Sequence, residues 1–560
     1  MELAFELARS GALTCRLDKT YLHSSYDPER EAKKIVGTAL GERRPTLVIL
    51  GGACLDYLTI EVRARFPGAM ILSLQYSELF RGKELTKAGA IRYPADPSSI
   101  ESFLDTFIDE DAISGIAFIE WPAAAKAFPE EARATAKTLR RVLDRLSASA
   151  ATIKNSGKQW IRNAARSFLL VESLALPPAE KTCPTTPIVV AAAGPSLDEA
   201  LEVLLPFQEE IHLIAVSSAL SCCLARGFKP DLVVATDGGY WSRSHLYPFA
   251  REDGEKFQAE ERGIHARSSL SASQSAPFST LASPLSALPS AALSSRIALL
   301  PIDQKAFPES ELTCFLGSSI AIPSGGTVVH TALRLATAWT QGPIVLAGLD
   351  LAARGIRAHA SAHAFESMLL STAGRLSPFE SLAYSREIPL APEKIPNSSW
   401  RSSRSLSSYA SALPNYFADA TERIFRLFPS PVELPGFLKI EKAALGKLFE
   451  RRVRTKFDLA IRQAPPIEQR KRYLLEQIIL WRRNANELLV AIETGGAALA
   501  ILRQAADKPR SLELFRAVDY PDWAATRRAI LLGGDPRPAA RSLRRNTEEF
   551  LEDLEGRLLS

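Results

Sequence analysis

TPIVVAAAGPSLDEALEVLL, residues 186–205, is built as a strand that runs through a tight turn into a helix. The apolar run Ile188, Val189, Val190 meets Gly194 and Pro195, and Ser196 follows with Glu199 three positions on. Gly194 can take φ values closed to other residues, Pro195 fixes the next turn, and Ser196 with Glu199 has the spacing of a capping box. Free N–H groups at such a helix start, with the dipole behind them, attract a phosphate. A plain strand-to-helix corner with a good cap has the same sequence, and here alanines fill most positions where a nucleotide loop carries glycine.

Working outward, the same grammar recurs. Downstream come IHLIAVSSALSCCLARGFKPDLVVATDGG at 211–239 and GPIVLAGLDLAARG at 342–355, fully apolar strands that end in Gly, Ser or Asp. An open parallel sheet offers such residues at its ligand-binding edge. Upstream, TLVILGGACLDYL at 46–58, AMILSLQYSELF at 69–80 and SGIAFIEWP at 114–122 predict a second, smaller parallel sheet. Gly51 and Gly52 are adjacent and no third glycine follows at the dinucleotide spacing, so a Rossmann-like domain without a tightly bound cofactor is expected there.

The expected fold class is α/β in four pieces. These are a Rossmann-like parallel-sheet domain over 1–128, a helical connector over 129–185, a central α/β domain over 186–436 and a carboxy-terminal helical bundle over 437–560. The connector ends in the Pro- and Thr-rich joint LPPAEKTCPTTP. Residues 268–295 are Ser-, Ala- and Pro-rich, but their regular Phe and Leu content predicts an ordered, irregular excursion rather than a linker. In the last piece, 437–463 and 467–493 read as long amphipathic helices separated by Pro465 and Pro466. The clusters Arg451, Arg452, Arg454 and Arg470, Lys471, Arg472 read as solvated faces.

A chain of 560 residues can build several cores. Its 68 basic and 63 acidic residues give +5, too mild a surplus to imply nucleic acid. Six scattered cysteines show no CxxC pair, which fits a reducing compartment and no structural zinc. The amino terminus lacks the basic start and apolar core of a signal, and no apolar run reaches the ~20 residues of a membrane span, so a cytoplasmic protein is expected.

Three further constellations could carry chemistry. Asp237, Gly238 and Gly239 end a strand and precede Tyr240, Trp241 and His245, an acid and two glycines where backbone can approach a ligand. Ser324, Gly325, Gly326 and Thr327 open an amphipathic helix with His330 in its first turn, where a histidine is expected to be neutral; a cap plus a partly buried histidine reads alike. Asp350 ends the strand at 342–350, with His359 and His363 beyond. Their i, i+4 spacing suits a metal, but no third ligand is near, so no metal is expected and a histidine in this loop suits general base catalysis on a hydroxyl.

In this order, YLHSSYDPEREA, IKNSGKQWIRNAARSFL, AGPSLDEA, GFKPDLVVATDGG, SGGTVVHTALRLA, VLAGLDLA with His359, and LPGF resemble the motility-associated factor (Maf) family of flagellin glycosyltransferases. The central domain of that family is shared with hydroxymethylpterin diphosphokinase MptE-like proteins and is similar to bacterial sialyltransferases. The resemblance implies a sialyltransferase-like (GT-A-like) central domain. It also implies transfer of a nonulosonic-acid-type sugar from a CMP-activated donor to Ser or Thr of flagellin, without bound cofactor or metal. Gly194, Pro195 and Ser196 would cradle the nucleotide phosphate, and Asp237, Gly238, the turn Ser324, Gly325, Gly326, Thr327 and His330 would complete the donor pocket. Asp350 would position sugar or base, and His359 would be the base. Two stretches depart from the family pattern: Ala192 stands where a glycine is usual, and RLFPSPVELPGF replaces a Gly-rich run. A diphosphokinase-like pyrophosphoryl transferase and a non-catalytic flagellin-binding protein are the competing expectations.

Overall fold

The computed structural model describes residues 2–86, 88–177, 185–246, 280–288, 297–449, 459–494 and 510–559. By packing, the chain forms two compact units: Met1–Lys158 with Gln477–Ser560, and Gln159–Glu476.

The first unit opens with a small antiparallel sheet, β1 (Leu3–Leu7), β2 (Leu13–Leu17) and β3 (Thr20–Tyr21). Four parallel strands follow, β4 (Leu47–Gly51), β5 (Met70–Leu74), β6 (Ala90–Arg92) and β7 (Ile116–Glu120), in the order β6-β5-β4-β7. Side chains alternate across a strand, and β4 shows it: Val48 and Leu50 enter one core with Val36 of helix Pro28–Leu40, while Leu47 and Ile49 enter another with Leu139 and Val142. Gly51 and Gly52 serve packing. A Cβ on either would lie 2.5 Å from the ring or hydroxyl of Tyr76, and the amides of Cys54 and Leu55 already donate to Gln75 Oε1 and His23 Nε2. Helices Arg510–Val518, Tyr520–Leu531 and Arg537–Leu559 belong to this unit, where Arg516 pairs with Glu110 at 2.6 Å and Trp523 Nε1 donates to Asp111 at 2.9 Å.

The second unit is an eleven-stranded, mostly parallel sheet. Its strands are β8 (Ser173–Ala175), β9 (Ile188–Ala191), β10 (His212–Val216), β11 (Leu232–Val234), β12 (Thr280–Ser283), β13 (Ala298–Asp303), β14 (Ile320–Ala321), β15 (Ile344–Ala347), β19 (Ile424–Leu427), β20 (Leu438–Ile440) and β21 (Ile461–Gln463). A separate three-stranded sheet comprises β16 (Ala353–Arg354), β17 (Glu393–Lys394) and β18 (Trp400–Ser402). The large sheet runs β20-β19-β15-β9-β10-β11-β12-β13-β8-β21, with β14 beside β13. From β9 the chain builds rightward as far as β13, then returns to place β15 on the other side of β9. The crevice where order reverses, beyond the carboxyl ends of β9 and β15, is where such sheets bind ligands. Continuous burial of β9, β10 and β15 explains their unbroken apolar sequences.

Several local expectations are corrected. The expected helical connector is a single helix over Pro129–Leu170, followed by the strand β8 within its expected bounds. Thr280–Ser283 is a buried, regular strand inside the Ser-rich excursion, and the rest of 268–295 apart from 280–288 lies outside the described residues. The strands β20 and β21 interrupt the segment expected to be helical from 437, since each is paired at the sheet. Arg470 is buried, not solvated. Its Nη1 donates to the carbonyls of Phe168 (2.6 Å) and Leu169 (2.7 Å), capping the end of helix Pro129–Leu170. The cluster Arg451, Arg452, Arg454 lies outside the described residues.

Candidate functional site

The turn after β9 and the turn after β15 are tied together at the switch point. Ala192 N–H donates to Ala347 O and Gly194 N–H to Gly348 O, each at 2.8 Å. Gly348 has φ +71°, and a Cβ there would come within 2.3 Å of Ala192 O; a Cβ on Gly194 would stand 2.5 Å from Asp350 Oδ2. The close approach therefore rests on Gly194 and Gly348, and Ala192 is simply core. Asp350 is 1% exposed, and its carboxylate accepts from Ser196 N–H and Ser196 Oγ at 2.8 Å each. The Ser196 hydroxyl is thus spent on Asp350, and no capping box forms at helix Leu197–Leu204. A carboxylate takes the place at this helix start that an anion favours. Burial pushes the Asp350 carboxyl up to about 6, against the Ser196 bonds and the Arg426 guanidinium. Pro195, also buried, completes the turn.

The loop bearing His359 closes onto this turn. Ala360 N–H donates to Ala193 O at 2.9 Å, and Ser361 N–H donates to both oxygens of Asp198, at 3.1 and 3.2 Å. Here three histidines gather. The rings of His359 and His363 stack with centroids 4.1 Å apart, and His245 meets His363 edge-on at 4.9 Å. Phe365 packs on both His245 and His363, with the Arg386 guanidinium 4.0 Å above its ring. His359 Nδ1 lies 3.4 Å from Glu387 Oε2, and Arg386 Nε lies 3.7 Å from Oε1. Burial, aided by the neighbouring histidines, lowers His363 to about 2 and His245 to about 4, so both are neutral at neutral pH. His245 Nδ1 and His363 Nε2 are buried without a hydrogen-bond partner.

Asp237 sits at the exposed edge near His245, whose protonated form its charge favours. Its Oδ1 accepts from Gly239 N–H at 2.8 Å. The Gly238 carbonyl is gripped by Gln159 Nε2 and Asn163 Nδ2, each at 3.3 Å, and a Cβ on Gly238 would meet Ser286 O at 2.6 Å. Buried Glu309 holds that Ser286 loop through the amides of Leu285 and Ser286.

The turn Ser324–Thr327 has other company. Thr327 caps helix Val328–Trp339, its hydroxyl accepting from His330 N–H at 3.2 Å. Gly326 takes φ +80° beside Tyr409, and a Cβ on Gly325 would overlap the His330 ring. His330 packs on Tyr416 and Phe417, and burial lowers it to about 4, with Arg334 adding to the effect. The structure thus joins Gly194, Pro195, Ser196 and Asp350 directly, brings the loop that bears His359 onto the same turn through Ala360 and Ala193, and sets Asp237 near His245, with Gly238 held by Gln159 and Asn163. Ser324, Gly325, Gly326, Thr327 and His330 line a stretch bounded by Tyr409 and Tyr416.

The sequence assigned no role to Glu387, Arg386 and Phe365, named His245 only as following the Asp237–Gly239 turn, and weighed His363 only for its spacing from His359. Glu387 ends helix Phe379–Glu387, and nothing local to that helix signals its partner. Among the described residues, no group of three His, Cys, Asp or Glu side chains is arranged to hold a metal ion, and no helix is long and apolar enough to cross a membrane.

A family model described as 6-hydroxymethylpterin diphosphokinase MptE-like matches residues 160–257, from the Asn163 helix through the Asp237 turn. Two uncharacterized proteins of Treponema pallidum (strain Nichols) are similar in sequence. One is 30% identical over 151 residues, 27% of this chain and 32% of that protein; the other is 25% identical over 138 residues, 24% and 65% respectively. The matched region thus spans about a third of the first relative and under two thirds of the second. Among solved structures, a Maf glycosyltransferase from Magnetospirillum magneticum AMB-1 superposes with a TM-score of 0.59 over 99% of this chain and 93% of that one, at 13% identity. The likeness seen in the ordered motifs therefore holds at the level of the fold across nearly the whole chain.

Proposed function

We propose that this chain, which has the fold of a Maf glycosyltransferase, is itself a glycosyltransferase that moves a nonulosonic-acid-type sugar from a CMP-activated donor to Ser or Thr of flagellin in the cytoplasm. The observation that carries the reading is the bond from Ala360 to Ala193, which sets the His359 loop against the Gly194–Ser196 turn at the switch point of the sheet. A nucleotide there would lie against the outside of the Gly194–Ser196 turn, whose inner donors Asp350 and Gly348 already hold, and leave the sugar between that turn and His359. Asp350 would order the turn, while Asp237 and the Ser324–Thr327 turn would contact the donor from exposed positions.

In this scheme His359 accepts the proton of the acceptor hydroxyl as its oxygen bonds the anomeric carbon. The bond from that carbon to the phosphate oxygen breaks, and CMP leaves with the electron pair. The exposed Ser324–Gly326 turn would supply hydroxyl and N–H donors to the leaving phosphate, since those of Ser196 are held by Asp350, and no metal is invoked.

The match of residues 160–257 to the pterin diphosphokinase model favours a second reading, pyrophosphoryl transfer from ATP. Calorimetric titration with CMP, CMP-N-acetylneuraminic acid and ATP separates the two. Binding of the cytidine nucleotides, weakened about tenfold by Asp237→Ala or Ser324→Ala, is expected on the first reading. Preference for ATP supports the second, and binding of none supports a flagellin-binding protein without catalysis.

A further inference from the structure

The carboxylate nearest His359 stands where helix electrostatics disfavour it. Glu387 is the last residue of helix Phe379–Glu387, and a negative charge at a helix carboxyl end opposes the dipole. Its side chain is only 11% exposed, so the cost is not relieved by water. Two neighbours stand beside it: Arg386 Nε lies 3.7 Å from Oε1, and His359 Nδ1 lies 3.4 Å from Oε2, which is buried without a hydrogen-bond partner and so meets the ring at ion-pair distance only.

The remaining contacts fix the His359 ring. Its loop is pinned by the Ala360 and Ser361 amides, and one ring face is covered by His363 at 4.1 Å and 21°. His363 Nδ1 accepts from Phe365 N–H at 3.4 Å, so its single proton sits on Nε2 and cannot compete for Glu387 through Nδ1. The charged and titratable groups facing His359 are then Glu387, Arg386, His363, His245 and, beyond His245, Asp237. With His359 33% exposed and its carboxylate partner buried, the pair has the ordering of a base held by an acid behind it.

We propose that Glu387 is the positioning residue of His359: its otherwise unpartnered Oε2, 3.4 Å from Nδ1, keeps the ring proton on Nδ1, which leaves the lone pair on Nε2 to receive the proton of the attacking hydroxyl. This deepens the transferase reading and rests on it for the identity of the hydroxyl, but the tautomer itself belongs to the resting protein. When Nε2 takes its proton the ring becomes cationic, and the Glu387 carboxylate stabilises that cation while remaining ionised.

The tautomer is read first, by long-range 1H–15N correlation on protein labelled at histidine, with His359→Gln to assign the signal. His359 protonated at Nδ1 in the wild type, and losing that preference in Glu387→Ala, is the expected result. A His359 protonated at Nε2 in the wild type, or one indifferent to Glu387, overturns the proposal without reference to any variant's activity. Release of CMP from CMP-N-acetylneuraminic acid, with water as the acceptor, is read second. Glu387→Gln is expected to lower kcat about 30- to 100-fold at unchanged KM, with Glu387→Asp recovering part of kcat. Equal effects on KM and kcat without rescue by Glu387→Asp point to a merely structural Glu387 and overturn the proposal. No CMP release from any protein, with the tautomer as expected, upholds the positioning by Glu387 and sinks the transferase reading instead.

Discussion

Asp56 carries a carboxylate that is fully buried in the first unit, at a backbone φ of +72°, with one oxygen accepting from Thr59 Oγ1 at 2.7 Å and the other without a partner. Burial pushes its pKa up to about 7, and Glu84 adds to that against Thr59 and Arg63. A folded pKa above the ordinary aspartate value means that folding favours the protonated form. Stability from this group is full below about pH 4 and is lost as pH rises through 7, on the order of 2–4 kcal/mol by pH 8. Urea midpoints at pH 5 and pH 8 should therefore converge in Asp56→Asn relative to the wild type, and parallel pH slopes would refute the assignment. Asp350, raised to about 6 by burial, follows the same sign. Since its carboxylate holds both the amide and the hydroxyl of Ser196, Asp350→Ala should cost about 2–4 kcal/mol in chemical denaturation. The sequence singled out His359 and Asp350 because they follow an apolar strand, and the structure places Asp350 on Ser196 and the His359 loop on Ala193. Glu387 was not readable: it arrives from another helix, and its meaning depends on a ring that only tertiary packing supplies.

Elements explain why the opening turn misled when judged by its missing glycines. The strand β9 is hydrogen-bonded to β15 in register, Ala191 opposite Ala347, so the position where backbone must nearly touch backbone falls on the partner strand's turn, at Gly348. Gly348→Ala should cost more than about 3 kcal/mol, because its Cβ would lie 2.3 Å from Ala192 O at a φ of +71°. Gly355 is also at positive φ, +62°, but has nothing within 4 Å, and Gly355→Ala should cost only about 1 kcal/mol. Thermal melts of the two variants separate crowding from backbone strain; equal losses would contradict the packing argument. Long apolar strands were legible because they are buried on both faces. The strand β12, Thr-Leu-Ala-Ser, was not, since its small polar residues are buried through sheet pairing and not through their own hydrophobicity. The same blindness hid Arg470, whose charge suggests solvent although three backbone carbonyls hold it. Arg470→Ala should therefore lower stability by about 2–3 kcal/mol, an uncharacteristic loss for a solvated arginine.

At the scale of the whole molecule, one compact unit is continuous in sequence and the other is not. The discontinuous unit is held by a buried-edge cluster in which Asp109, Glu110 and Asp111 meet Arg527, Arg516, Tyr520 and Trp523. Trp523→Ala, which removes a fully buried ring and the partner of Asp111, should cost about 3–5 kcal/mol. Hydrogen exchange should show the loss in β4 and β5 and leave β9 and β15 protected; uniform loss through both sheets would mean that the units do not unfold separately. The sequence revealed the two sheets and the helices after them. It could not reveal that residues 477–560 complete the first unit, since the acids at 109–111 and the arginines that answer them look like ordinary surface charge until they are brought together. That arrangement sets an order of events at the ribosome. Residues 1–158 emerge early but lack their closing helices until some 400 further residues have been made, roughly 20–80 s at about 5–20 residues per second. Meanwhile residues 159–476, synthesised later, have every segment they need, so the middle of the chain can finish folding before its beginning does.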